Sequence, residues 1–164
     1  MEFWDIYDEN KKPTGRTMKR NDWCLKDGEY HLTVLGVVGR PDGTFLITKR
    51  VMTKAWAPGW WEVSGGAAQA GEESCEAVLR EVKEETGLTL TSYKLRGLVT
   101  FISDKCEPEL MCVFTANEYI GELTECNEGE LYWIDKAVVP TLPTWEGDRV
   151  FLDLLLSGDE RFFS

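Results

Sequence analysis

Residues 66–88 read GAAQAGEESCEAVLREVKEETGL, a run in which small residues give way to a helical pattern dense in carboxylates. From Ser74 to Thr86 there is neither Gly nor Pro, and most of the residues favour helix. Cys75, Val78, Leu79 and Val82 recur at i, i+3, i+4 and i+7, which predicts an apolar stripe suited to packing on a sheet. Ser74, or an acidic residue just before it, can cap the start. Gly87 stands where a left-handed residue would end the helix.

Helical geometry then gathers the carboxylates. At 3.6 residues per turn, Glu81, Glu84 and Glu85 fall within about a quarter of the circumference, beside the apolar stripe. Glu81 and Glu85 are one turn apart. Carboxylates this close repel and raise one another's pKa unless a positive charge intervenes. Mg2+ suits such a strip, because it takes one or two carboxylates and completes its shell with water and phosphate oxygens. Arg80, one turn before Glu84, can hold a carboxylate in a fixed orientation with its planar fork. The competing reading is a Glu-rich face left to solvent. Upstream, Ser64-Gly65-Gly66-Ala67-Ala68 reads as a small, flexible loop whose backbone can approach a phosphate or metal.

Taken together, Gly66, Glu72, Arg80-Glu81-Val82-Lys83-Glu84-Glu85 and Gly87-Leu88 give G-x5-E-x7-R-E-U-x-E-E-x-G-U, with U apolar. At average residue usage this arises by chance about once in a billion starting positions. The pattern resembles the signature of the Nudix hydrolases, which cut a diphosphate linkage in a nucleoside diphosphate joined to another group. The resemblance implies an α/β protein: an α/β/α sandwich with a mixed β-sheet, the catalytic loop and helix at about 65–87, and a core over roughly 28–157. It also implies Mg2+ as cofactor, with Mn2+ able to substitute. The ligands would be Glu81, Glu84, Glu85 and the carbonyl of Gly65, with Glu72 bracing the loop.

Other segments organise around this run. Residues 3–7 are apolar and the polar DENKKPTGR that follows reads as a turn. His31–Val38 and Thr44–Val51 read as two strands joined in a hairpin by Arg40-Pro41-Asp42-Gly43. Ala57–Val63 is a turn into a short strand; Leu95–Ile102 with Leu110–Ala116 form a strand pair, and Glu130–Ile134 a last strand. Asp148–Leu156 has the apolar content of a helix that can pack on the opposite side of the sheet. With no repeat or low-complexity linker, a single domain over 1–164 is expected, residues 1–27 forming an N-terminal extension. WDIYDENKKPTGR resembles the leading hairpin of Nudix proteins related to isopentenyl diphosphate isomerase, and reads equally as an edge hairpin closing the fold.

Charge narrows the partners. The 29 acidic and 18 basic residues leave a formal charge of −11. That argues against polymeric nucleic acid and against anionic membrane surfaces. A small phosphate-bearing molecule remains compatible where metal ions supply local positive charge. Five cysteines without a CxxC pair, and one histidine, disfavour zinc and suit free thiols in a reducing cytosol. The N-terminus shows neither a basic segment nor a long apolar run, so a cytoplasmic protein is expected, as monomer or homodimer.

The remaining candidates concern substrate and proton transfer. Glu128, five residues before Trp133, is the chosen general base by similarity to oxidised-purine nucleoside triphosphatases; Glu107, Glu109 and Glu130 compete for that role. Lys49 and Arg50 end a strand and are candidates for phosphate contact, or simply an exposed pair. Trp145-Glu146-Gly147-Asp148-Arg149 resembles the base-recognition segment of the same enzymes, with Trp145 stacking on a purine and Asp148 bonding its edge. Trp145 is equally a candidate for the core. Gly147 departs from that pattern where a second acid is expected, as does Glu62 where some relatives carry Asn. Two further readings stand beside hydrolysis. An isomerase would need a Cys-x-His before the box, where this chain has VSGGAAQ. A non-catalytic nucleotide-binding module would be expected to lose metal carboxylates that this chain keeps.

Overall fold

The computed structural model describes residues 1–54, 57–104, 106–126 and 129–164. Its elements run β1 (Phe3–Tyr7), β2 (Pro13–Lys19), β3 (Tyr30–Val38), β4 (Thr44–Arg50), β5 (Trp61–Glu62), β6 (Ser64–Ala67), α1 (Ser74–Thr86), β7 (Thr89–Phe101), β8 (Glu109–Ile120), β9 (Gly129–Asp135) and α2 (Glu146–Leu156), with a 3-10 turn at Val139–Thr141. The larger sheet has the order β2-β1-β3-β8-β7, with β6 also on β3. Its β3–β8 pair is parallel and the others are antiparallel, so the sheet is mixed. A smaller antiparallel sheet has the order β5-β4-β9.

The expected hairpin between the second and third apolar runs does not form as a ladder. The turn is present, with Gly43 N–H donating to Arg40 O at 3.0 Å and Arg40 N–H to Thr44 O at 2.9 Å, but pairing stops at the isolated bridge Gly39–Phe45 beyond the end of β3. The cause is competition for edges. One edge of β3 carries β8; the other carries β1 at Tyr30–His31 and β6 at Thr33–Gly36. β4 therefore diverges to pair with β9 and β5.

The run Ser64–Ala67, expected as a loop, is instead a strand. Gly65 lies so close over β3 that a Cβ there would come within 2.2 Å of the Val34 carbonyl oxygen. Here glycine serves close approach of two backbones rather than flexibility.

Two cores flank the strands. Val78 and Val82 of α1 pack with Val34 and Val38 of β3 and Leu46 of β4. Phe151, Leu152 and Leu155 of α2 pack with the alternate residues Val37 and Ile47. The alternation along β3 and β4 puts the helices on opposite sides, giving an α/β/α arrangement. Each fully buried Val or Leu here contributes about 1.5–3 kcal/mol of transfer free energy. The buried stripe of α1 is Ala77, Val78, Val82 and Thr86, while Cys75 is only partly covered. Among the described residues no helix is long and apolar enough to cross a membrane.

Helix α1 is closed at both ends by local chemistry. Glu73 is the N-cap, in a reciprocal box with Glu76. Gly87 ends the helix at φ 86°, its N–H donating to Lys83 O. A side chain there would also meet the Glu122 carbonyl at 2.6 Å. These ends fix the length of α1 and hence where its carboxylates emerge.

Candidate active site

The carboxylate face of α1 and the strand β6 form one wall of a cleft of about 510 Å³ that includes Gly65, Gly66, Arg80, Glu81, Glu84 and Glu85. Arg80 is its hub. Nε donates to Glu72 Oε2 at 2.9 Å and Nη2 to Glu72 Oε1 at 3.0 Å. Nη1 reaches Glu81 Oε1 at 2.9 Å and Glu84 Oε2 at 3.3 Å, and Nη2 also donates to Ala67 O at 3.2 Å. One guanidinium therefore ties the segment before α1, the end of β6 and two helix carboxylates into one unit. The Glu72 hydrogen bonds, then those of Glu81, strengthen its hold on its proton despite partial burial.

Glu81 is pressed against the backbone of β6. A Cβ on Gly66 would fall 2.6 Å from its carboxyl carbon. Burial raises the Glu81 pKa, opposed by the Arg80 hydrogen bond. Glu84 is far more open, its side chain 61% exposed. Among the described residues no three His, Cys, Asp or Glu groups already converge as a ready metal cage. Mg2+ binds through one or two carboxylates and keeps waters and phosphate oxygens in the rest of its shell. The carboxylates of Glu81, Glu84 and Glu85 that line the cleft offer oxygen donors, the chemistry Mg2+ takes, so the residues fit such an ion.

The opposite wall comes from elements the box does not contain. Arg50 and Glu62 line the cleft and are paired, Arg50 Nη1 to Glu62 Oε1 at 3.2 Å. Lys49 is not among the lining residues; its ammonium lies 5.8 Å from the centroid of the Trp61 ring. Alternation along β4 separates the two cations. Trp145 packs against Trp60, ring centroids 4.7 Å apart. Like Lys49, these two rings and Asp148 are not among the residues lining the cleft. Asp148, in the first turn of α2, feels the charges of Glu62 and Glu109. Burial first, then those carboxylates, push its pKa up to about 7.

Of the carboxylates considered for the general base, Glu128 lies outside the described residues. Glu130 is exposed and accepts a hydrogen bond from the Tyr132 hydroxyl. Glu107 is buried, facing the Trp23 and Cys24 amides without closing a hydrogen bond of standard geometry. Glu109 lines the cleft, near Thr33 Oγ1 at 3.5 Å, and burial pushes its pKa up to about 7. His31, its register partner on β3, has Nε2 at 4.0 Å from Glu109 Oε1. Burial pushes the His31 pKa down to about 4, so both groups are displaced toward their neutral forms and the contact is not a strong ion pair.

Sequence reasoning missed the N-terminal contribution. Trp4 of β1 stacks on His31 with centroids 4.1 Å apart and an 8° interplanar angle, and Glu2, Trp4 and Arg20 all line the cleft. An apolar run at the N-terminus signals a strand but not which strand it will pair with.

The geometry is that of a recognised domain class. The NUDIX domain family model matches residues 29–155, and the chain belongs to that family. An uncharacterised Nudix hydrolase of Bacillus subtilis is 37% identical over 105 residues, 61% of this chain and 66% of that protein. The chain thus spans just under two thirds of that relative's length. An oxidised purine nucleoside triphosphate hydrolase of Danio rerio is 33% identical over 127 residues, 76% of this chain and 79% of that protein. Among solved structures, a MutT protein from Bacillus halodurans superposes with a TM-score of 0.69 at 27% identity, covering 80% of this chain and 86% of that one.

Proposed function

We propose that this chain is a Mg2+-dependent pyrophosphohydrolase that cleaves the diphosphate linkage of a nucleoside diphosphate-linked substrate, with an oxidised purine nucleoside triphosphate as the favoured substrate class. The observation that carries the reading is the Arg80 hub, which orients Glu81 and Glu84 on the cleft wall beside Gly65 and Gly66 of β6. Glu81, Glu84, Glu85 and the Gly65 carbonyl are the groups that would hold the metal. When bound, Mg2+ supplies positive charge to the phosphoryl oxygens and acidifies a water. Arg80 keeps the carboxylates aligned, and Glu72 locks Arg80 in turn. Mn2+ is expected to substitute.

The purine preference is supported by groups next to the Glu62 side of the cleft and by the relative in Danio rerio. Trp145 beside Trp60 offers an aromatic surface. Asp148, protonated up to about pH 7, can donate as well as accept a hydrogen bond at a base edge. Glu62 is held by Arg50, so it is a preoriented acceptor rather than a mobile one. The test is a panel of nucleoside triphosphates, oxidised purine triphosphates, nucleotide sugars, dinucleoside polyphosphates and ADP-ribose, assayed with and without Mg2+. Release of nucleoside monophosphate and pyrophosphate from the oxidised purine triphosphate, only with metal, is the expected result. Tight binding with no product would instead mark a nucleotide-binding module.

A further inference from the structure

A second cavity, of about 490 Å³, lies at the far end of the strands from the cleft. The cleft takes Glu109 of β8 and this cavity takes Asn117, eight residues along the same strand, or about 26 Å of extended chain. In a chain of net charge −11 its lining is cationic: Arg40, Lys94 and Arg96 against the single carboxylate of Glu160. Ser92, Tyr93 and Asn117 add hydroxyl, aromatic and amide groups.

Arg96 is the informative residue. It is 9% exposed, and its Nε has no hydrogen-bond partner. Nη2 donates to the backbone carbonyl of Asp159, which pins the C-terminal tail where Phe163 pairs alongside Gly97. Pinning the tail uses one of the five N–H donors of the guanidinium. The neighbouring Asp159 carboxylate feels the Arg96 charge, but its hydrogen bonds go to Arg161, with side-chain contacts from 2.7 to 3.2 Å. Arg40 is oriented by Thr44 Oγ1 at 3.0 Å and lies 4.1 Å over the Trp133 ring; Asp42 Oδ2 is at 3.5 Å. A cation buried without a carboxylate in contact is unfavourable unless an anion completes it. A planar fork with unused donors matches phosphate geometry, and Lys94 adds a point charge at the rim.

We propose that this rear cavity is a second anion site, which takes a phosphate-bearing ligand through Arg96, Lys94 and Arg40, independently of the metal and of the chemistry in the cleft. The same groups would accept inorganic pyrophosphate or the phosphate of a nucleotide, with Tyr93 available to a base in the second case.

The test is an NMR titration of the full chain in EDTA, with inorganic pyrophosphate in one arm and AMP in the other. Saturable shifts at the Ser92–Lys94 and Asn117 amides and at the Arg96 Nε–H are expected in at least one arm. Shifts in both arms, with an added ring response at Tyr93 only for AMP, would identify nucleotide phosphate; pyrophosphate alone would identify the inorganic anion. Lys94→Glu, on an exposed position, is expected to weaken binding by roughly fivefold or more through charge reversal while leaving the melting temperature unchanged. Arg96→Gln should weaken it further, and should it unfold, Lys94→Glu and Arg40→Gln carry the test. Absence of saturable shifts at these groups up to about 10 mM in both arms, or binding indifferent to Lys94→Glu and Arg40→Gln, would overturn the proposal.

Discussion

Arg80 and Glu72 are joined by two hydrogen bonds, Nε to Oε2 at 2.9 Å and Nη2 to Oε1 at 3.0 Å, across the turn that leads into α1. Glu72 precedes the helix and Arg80 sits within it, so the pair sets how β6 meets α1. The same guanidinium reaches Glu81 and Glu84. Loss of its shape should therefore be felt in the fold and in the site together.

Arg80→Lys keeps the charge and removes the fork. A single ammonium cannot hold both Glu72 oxygens, Glu81 and the Ala67 carbonyl at once. Urea unfolding should show a loss of about 1–3 kcal/mol, the range for partly buried charge-assisted hydrogen bonds. Turnover should fall by at least an order of magnitude, since misaligned groups next to metal ligands typically cost about 10–100-fold. A variant with wild-type stability and rate would show that the hub is incidental.

Gly66→Ala separates function from folding. The added methyl would lie 2.6 Å from the Glu81 carboxyl carbon. Glu81 ends in a flexible carboxylate that can swing aside, so the melting temperature should change little. The displaced ligand should raise the Mg2+ concentration needed for half-maximal activity by about tenfold. A metal titration of the rate checks this, and an unchanged curve would remove Glu81 from the ligand set.

Asp148 predicts the pH dependence of stability. Folded, it keeps its proton to about pH 7, whereas its ordinary value is 3.8. Between those values the folded state binds more protons than the unfolded state, so stability declines as pH rises through the interval. Glu109, also raised to about 7, acts in the same direction. His31, lowered to about 4, acts in the opposite sense, losing stability as pH falls from about 6.5 toward 4. Thermal melts at pH 5 and pH 8 should show a higher midpoint at pH 5, and Asp148→Asn should shrink the difference. Equal differences in both proteins would mean that Asp148 titrates normally.

The proposed base recognition is separable from the proposed phosphate chemistry. Trp145→Ala removes the partner of Trp60 and leaves every box residue in the sequence unchanged. For an oxidised purine triphosphate KM should rise by roughly tenfold, the order of one lost base–aromatic stack. A substrate without a purine should be affected far less. An equal effect on both would place Trp145 in the core rather than at the base.

Much of the site was legible because a helix writes its geometry in local spacing. Arg80 and Glu84, one turn apart, meet as the period implies, whereas Glu72 precedes the helix and its bracing role came from the family resemblance. Gly87 was readable as the C-cap for the same reason, while the N-cap was open between Ser74 and an acidic residue before it, and Glu73 takes it. Sheet partners were not. His31–Val38 and Thr44–Val51 carry the marks of a hairpin, yet which edge of β3 is occupied depends on residues 64–67 and 109–116, far away in sequence. The glycines at 65 and 66 suggested mobility, while their use is close contact, with the Val34 carbonyl and the Glu81 carboxylate. Trp4 entering the cleft wall likewise depends on β1 pairing with β3 at His31.

The most direct test compares wild type with Glu84→Gln and Glu85→Gln, each verified as folded, in Mg2+-dependent release of nucleoside monophosphate. The carboxylate-to-amide change keeps shape and removes charge, so both variants should lose about 100-fold or more in rate, the scale of several kcal/mol in the barrier. Turnover equal to wild type in both variants would contradict the assignment of this helix as the metal-holding, diphosphate-cleaving element.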